Sequence, residues 1–300
     1  MVRRNMSSST PERAAPPDVT ISIVNTNNRD LLQTCLCSLY ETTRAQMQVI
    51  VVDNASTDGS AARVQREFPQ VTLLENETRA GFAASHNRAL QDGAGRYLLI
   101  LNEDTKLLPR CLDTLIAFMD AHPDAGACGP RLWNGDGSLQ RTANRFPTLA
   151  FGVCEALALN RLFPNNPVWR QNTYAEWDRA TTRQVDAVSG AALLVRAAAI
   201  SQVGLLDPQF FIYHEEVDWC LRLRQRGWKT FYVADAQLIH YGGASTAARA
   251  PEKFHQIYWD SFLYYYRKHF GAPAYWLMRG VFETRMAAHR LKNKIARACF

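Results

Sequence analysis

Short, wholly apolar runs alternate along the first half of this chain with segments whose apolar residues recur every third or fourth position. The runs at residues 19–24, 49–52, 71–74, 97–101 and 125–129 read as buried strands. The segments at 29–40, 59–68, 82–91 and 109–121 read as helices. Alternation of this kind predicts an α/β fold with a mostly parallel central sheet and helices on both faces. Polar turns follow the strands at residues 25–28, 53–58, 76–81 and 102–104, and a parallel sheet gathers them at one edge. Open α/β sheets bind their ligands at that carboxyl edge.

The rhythm fades after residue 130. Residues 133–147 are rich in turn formers and suggest a loop or hairpin, and 150–180 a helix with a long connection. A strand is expected at 187–196, an amphipathic helix at 214–226, and short strands at 231–233 and 237–240. No internal repeat is visible.

Composition adds limits. With 300 residues, 47% of them hydrophobic and 21% charged, the chain is globular. Residues 1–18 contain three prolines and no apolar run, so they are expected to be a disordered tail and not a signal peptide. No apolar stretch reaches the roughly 18 residues of a spanning helix. Seven cysteines without CxxC spacing fit a reduced, cytosolic compartment and argue against structural zinc. The net charge of +6 resides in residues 251–300, where nine Lys/Arg meet three acidic residues; the first 250 residues carry 25 of each sign.

Candidate chemistry lies where strands stop. Asn102, Glu103 and Asp104 end an apolar strand abruptly. Such oxygens suit a hard divalent cation and the phosphates it holds, although a solvated loop would also contain them. Asp53 could accept hydrogen bonds from a base or ribose, leaving Ser56 or Asp58 to cap the next helix. No GxGxxG or Walker A sequence is present, so a nucleotide would be held by side chains and metal. Glu215, Glu216 and Asp218 open a helix, where the macrodipole alone favours acids. They also follow Phe210, Phe211 and Tyr213, and an apolar wall raises a carboxylate's pKa toward that of a general base. His240 closes a strand ahead of a small-residue loop, as either a structural residue or a ligand.

Together these stretches resemble family 2 glycosyltransferases of the GT-A fold. The likeness runs over residues 19–246, through the opening strand, the segments at 49–59 and 76–87, the acidic cluster at 98–105, the acidic helix at 211–222 and the late stretch at 240–245. Residues 129–141 and 145–147 further resemble the rhamnosyltransferase branch. The resemblance implies a glycosyltransferase domain over 19–250 and inverting transfer of a sugar, by preference L-rhamnose from dTDP-rhamnose. The acceptor would be a hydroxyl of a glycan or polyprenyl-linked glycan in cell-surface polysaccharide synthesis. It implies nucleotide-sugar binding by Thr26, Asp53, Asn54, Asn87, Arg88 and Asn102, and Mg2+ or Mn2+ on Asp104 and His240. The base would be Glu216, with Glu215 and Asp218 as alternatives. Two positions depart from the family pattern: Asn102 replaces an Asp, and Glu216 replaces the usual catalytic Asp.

Residues 254–300 interleave aromatic and basic residues. As a helical extension they would suit an anionic membrane surface better than nucleic acid, placing the protein at the inner face of the plasma membrane. The alternative is a helix packed on the core with a solvated basic face. Rival readings of the whole are a sugar-phosphate nucleotidyltransferase, which wants a glycine-rich first turn, and a membrane-associated nucleotide-sugar binder without activity.

Overall fold

The structure, a computed structural model, describes residues 16–242 and 251–298, with side chains for 16–242 and 255–287. Most of the expected tail (1–15) and the end of the late motif (243–245) lie outside the described residues.

The first half follows the expected alternation: β1 (Val19–Asn25), α1 (Arg29–Thr42), β2 (Met47–Asp53), α2 (Ser60–Glu67), β3 (Thr72–Glu75), α3 (Phe82–Leu90) and β4 (Tyr97–Asn102). Each element forms for a visible reason. β4 is buried at every position but its last, as a strand covered on both faces must be. α1 buries Leu32, Cys35, Leu36 and Leu39, the i, i+3, i+4, i+7 stripe of a helix lying on a sheet.

The chain continues with β5 (Thr105–Leu107), α4 (Cys111–Ala121), β6 (Ala125–Trp133), β7 (Leu139–Gln140) and β8 (Ala143–Asn144). Next come α5 (Leu149–Ala156), α6 (Leu159–Leu162), α7 (Pro167–Asn172), β9 (Arg183–Val185), β10 (Ala187–Val188), β11 (Ala192–Arg196) and α8 (Ala197–Val203). α9 (Glu215–Gln225), β12 (Lys229–His240) and α10 (Pro251–Ala298) complete it.

The main sheet is ordered β3-β2-β1-β4-β11-β6-β12-β5, with β7 on β6 and β9 on β12. β3, β2, β1 and β4 run parallel, β11 enters antiparallel, and β6 and β12 pair parallel to each other. Both sides of the antiparallel insertion therefore point the same way. The carboxyl ends of β1, β2, β4, β6 and β12 share one edge.

Several expectations change in detail. The strand expected at 187–196 is two, β10 and β11, interrupted at Ser189-Gly190. The two strands expected at 231–233 and 237–240 are one, β12, whose register on β6 shifts between Val233 and Gln237. The strand starting at Ala125 runs on to Trp133, and the loop or hairpin at 133–147 is a hairpin of β6 and β7. β5, β9 and α8 are too short to leave a periodic signal.

α10 bends at Gly271, whose φ of +82° with ψ of −179° only glycine adopts readily, and Pro273 follows. The bend folds the helix back, and Phe282 meets Trp259 at 4.2 Å between ring centroids. Trp259, Phe262, Tyr265, Tyr266 and Met278 are buried together with Phe210 and Ala156. The aromatic stripe thus faces the protein, as in the packed-helix alternative. A side chain at Gly152 of α5 would strike Tyr266 Oη at 2.5 Å, so this glycine sets how closely α5 and α10 approach.

Phe262→Ala is expected to lower stability by about 3–5 kcal/mol in urea denaturation, as for other buried aromatics, and a loss below about 1 kcal/mol would contradict inward packing.

Candidate active site

The end of β4 turns sharply. Thr105 Oγ1 donates to Asn102 O at 2.7 Å, and Asn102 N donates to Ala191 O at 2.9 Å. This turn separates the three polar residues. Glu103 faces the β1–α1 turn and accepts from Asn28 Nδ2 at 2.7 Å. Asp104 and Asn102 face the end of β12. His240 Nε2 lies 3.2 Å from Asp104 Oδ1 and 3.3 Å from Asn102 Nδ2. Asp104 is 3% exposed, and the approach of His240 is off the line a hydrogen bond needs, so Oδ1 has no hydrogen-bond partner. Tyr241 N donates to Asp104 O at 2.9 Å, tying the strand ends together.

A bare carboxylate oxygen beside an imidazole nitrogen fits a divalent cation. No group of three or more His, Cys, Asp or Glu side chains suited to a metal occurs among the described residues. The pair would leave a divalent cation to complete its shell with substrate phosphates and water.

Next along the edge, Asp53 is buried, accepting from Ser56 N at 2.8 Å through Oδ1 and from Asn25 Nδ2 at 3.2 Å through Oδ2. Thr26 is buried just after Asn25, the last residue of β1 and the one paired with Asp53 across the sheet. Of the two expected capping residues, Asp58 serves the start of α2. Ser56 Oγ accepts from Asn27 N and Asn25 Nδ2, while Asp58 accepts from Ser60 N and Arg29 N, so one carboxylate serves the starts of both α2 and α1.

Three residues expected at the nucleotide sugar hold loops instead. Asn54 exchanges hydrogen bonds with Ala80 N and O and accepts from Asn76 Nδ2. Asn87 brackets the Leu206 backbone, donating to its O at 2.7 Å and accepting from its N at 3.1 Å. Arg88 is exposed and donates to Glu75 O and Asn76 Oδ1. Asn and Arg near a strand end look alike in sequence whether they bind a ligand or a loop.

Helix α9 starts after two non-glycine residues in the left-handed region, Tyr213 at φ +73° and His214 at φ +69°. This turn is held on several sides. Phe82 N donates to Phe211 O, Ser261 Oγ donates to Ile212 O at 2.8 Å, and the His214 ring lies among Tyr258, Phe262 and Tyr265. Burial pushes the His214 imidazole down to about 4, so it is a neutral packing group.

The acids of α9 have separate fates. Burial raises the carboxyl of Glu215 well above the usual range, and the charge of Glu216 adds to it. Burial likewise raises Glu216. Each leaves its Oε2 without a hydrogen-bond partner. A Cβ placed on Gly190 would lie 3.6 Å from Glu216 Cβ, so Glu216 borders the connection into β11 whose Ala191 O holds Asn102. Asp218, the third candidate base, has a different environment. It is fully buried, bonded by Arg222 Nε at 2.8 Å, Lys268 Nζ at 2.6 Å and His269 Nε2 at 2.9 Å. Burial pushes its carboxyl up, but the hydrogen bond from His269, the charge of Arg222 and the hydrogen bonds from Lys268 and Arg222 outweigh burial and hold it below its ordinary value. Asp218 is a structural tie between α9 and α10.

Two polar features had no sequence signal. Gln140 contacts His240 from β7, and Glu155 of α5 accepts from Tyr258 Oη of α10, its carboxyl raised by burial. Both pairings join residues about a hundred positions apart, beyond the reach of periodicity.

Comparisons with known proteins agree with this fold. Residues 20–200 match Glycosyl transferase family 2. The chain is 31% identical over 268 residues to the N-acetylglucosaminyl-diphospho-decaprenol L-rhamnosyltransferase of Mycobacterium tuberculosis, spanning 85% of this chain and 87% of that one. The mannosyltransferase PcManGT from Pyrobaculum calidifontis, solved in complex with GDP-Man and Mn2+, aligns with a TM-score of 0.52 at 20% identity, over 98% of this chain and 84% of that one. S. aureus TarS 1-349 aligns with a TM-score of 0.51 at 16% identity, over 80% of this chain and 63% of that one. At these identities the two structures share the fold.

Glu215→Gln is expected to stabilise the protein at pH 8 and to be neutral below about pH 4. A carboxyl whose folded pKa exceeds its unfolded value of about 4.3 opposes folding only once the pH rises past that value. Urea melts at both pH values measure this, and equal midpoints at pH 8 would contradict the burial of an uncompensated Glu215.

Proposed function

This chain belongs to glycosyl transferase family 2 and is a glycosyltransferase of GT-A fold, and we propose that it moves L-rhamnose from dTDP-rhamnose, with inversion, to a hydroxyl of a polyprenyl-diphosphate-linked glycan. Its similarity to the mycobacterial rhamnosyltransferase supports the sugar and acceptor class. Membership in the family leaves no room for the nucleotidyltransferase and the inactive binder. What supports the reaction is that Glu216 borders Gly190, while the next residue, Ala191, holds Asn102 through its carbonyl, and Asn102 Nδ2 lies 3.3 Å from His240 Nε2.

Asp53 and Thr26, at the ends of β2 and β1, hold the nucleoside, and Asn102 lies toward the donor's diphosphate. Asp104 and His240 hold the divalent cation, Mg2+ or Mn2+, which when bound neutralises charge on the departing diphosphate. Glu216 takes the acceptor's hydroxyl proton as that oxygen bonds to the anomeric carbon from the face opposite the leaving group. The bond from the anomeric carbon to the diphosphate oxygen breaks, and its electron pair leaves with dTDP. Glu216 suits this task because burial keeps its carboxylate basic. The charge of Glu216 in turn adds to the effect of burial on Glu215.

The acceptor reading extends to a peripheral position on the inner face of the plasma membrane. No helix among the described residues is long and apolar enough to cross a membrane. The most exposed large apolar side chains among the described residues are Leu162 at the end of α6, Phe163 after it, and Trp276 and Leu277 on α10, at 70%, 62%, 62% and 48% exposure. Beside them, burial and then the charge of Arg161 hold Arg285 below its ordinary value, a crowding of cations that anionic headgroups would relieve.

Glu216→Gln is expected to bind donor normally in thermal-shift titration and to lose transfer by about 10²–10⁴-fold; turnover near wild type would remove Glu216 from the role. Leu162→Asp with Phe163→Asp should reduce cosedimentation with phosphatidylglycerol vesicles, and unchanged binding would dismiss that surface.

A further inference from the structure

The β6–β7 hairpin contains much of the stretch that resembles the rhamnosyltransferase branch, yet the reaction as described uses none of it. Its tip is closed by Asn134 N donating to Ser138 O at 2.8 Å, with Asn134 Nδ2 donating to Ser138 Oγ at 2.7 Å. This closure brings Gln140 of β7 against His240 of β12.

The donors and acceptors there admit one arrangement. Gln140 Nε2 donates to His240 O at 2.7 Å and to Asn134 Oδ1 at 2.6 Å. A backbone carbonyl only accepts, so the amide nitrogen of Gln140 must face it. Gln140 Oε1 is thereby turned to His240 Nδ1, 2.9 Å away, and can only accept. Nδ1 therefore carries the ring hydrogen, and in the neutral ring Nε2 keeps its lone pair. That lone pair accepts from Asn102 Nδ2, and Asp104 Oδ1, which has no hydrogen-bond partner, lies 3.2 Å from the same nitrogen. Two lone-pair atoms this close call for a cation that both can reach.

We propose that Gln140 is a positioning residue that fixes the tautomer and ring plane of His240, so that Nε2 is presented with Asp104 to the divalent cation. The Nδ1–H to Oε1 bond is the outer support that metal-binding histidines use, and its loss typically weakens metal affinity about 10–100-fold. The hairpin is then part of the metal site, although no atom of it touches the cation. This inference rests on the metal reading for the cation and on hydrogen-bond geometry for the tautomer, and the test separates the two.

Long-range ¹H–¹⁵N spectra of the metal-free full-length protein, ¹⁵N-labelled at histidine, report which ring nitrogen of His240 is protonated. Titration with Mn2+ alone, followed by the EPR signal of the free ion, reports affinity. The wild type is expected to show protonated Nδ1 and bare Nε2. Gln140→Leu should lose that preference and bind Mn2+ about 10–100-fold more weakly. Gln140→Glu, which still accepts from Nδ1–H but loses the donor that faces His240 O and Asn134 Oδ1, should keep the tautomer. Protonated Nε2 in the wild type, or Mn2+ affinity in Gln140→Leu equal to wild type, overturns the proposal. A wild type with the expected tautomer that binds no Mn2+ overturns the metal reading and leaves the tautomer lock standing. Should Gln140→Leu not fold, the wild-type tautomer and Gln140→Glu still decide.

Discussion

A carboxylate oxygen buried without a hydrogen-bond partner is costly, and Asp104 Oδ1 is such an atom. The rest of the edge exists to hold it there. β4 carries Asp104 out of the core, β12 runs parallel to β6 and ends at His240, and Tyr241 N fastens the two ends through Asp104 O. The antiparallel entry of β11 between β4 and β6 makes this possible, because strands on either side of it then finish at the same edge. The local deficit is a feature a ligand can correct. A cation with its phosphates would supply what the protein withholds.

The second half of the site depends on a helix that composition had assigned to another purpose. The turn before α9 places two bulky residues at positive φ, a strain of roughly 1–3 kcal/mol each. It persists because α10 grips it: Ser261 holds Ile212 O, aromatic rings enclose His214, and Lys268 and His269 anchor Asp218. α10 therefore aims Glu215 and Glu216. Any contact that residues near α6 and α10 make with a lipid surface would act on a helix already bonded to the base segment.

How much of this was legible in sequence follows from the range of each signal. The parallel half, β1 to β4, was readable because both-face burial leaves unbroken apolar runs, and the turns after them carried Asp53 and Asp104 in plain view. β5 and β9 span three residues each, too few for any period to register. The aromatic stripe of α10 was visible, but sequence cannot tell a ring that faces lipid from one that faces Phe210. The same limit explains Asn54 and Asn87, whose amides are taken up by loops, and Asp218, two of whose three partners, Lys268 and His269, lie about fifty residues away. Gln140 was beyond reach altogether. Its meaning comes from a carbonyl and a ring nitrogen one hundred residues downstream.

The central claim is that Asp104 and His240 together hold the cation of the donor's diphosphate. The most direct measurement is anomalous scattering from crystals of the protein soaked with MnCl2 and dTDP. The account predicts a manganese peak between Asp104 Oδ1 and His240 Nε2, shared with the diphosphate. Bound dTDP with no manganese peak there, or a peak on another carboxylate, would contradict it.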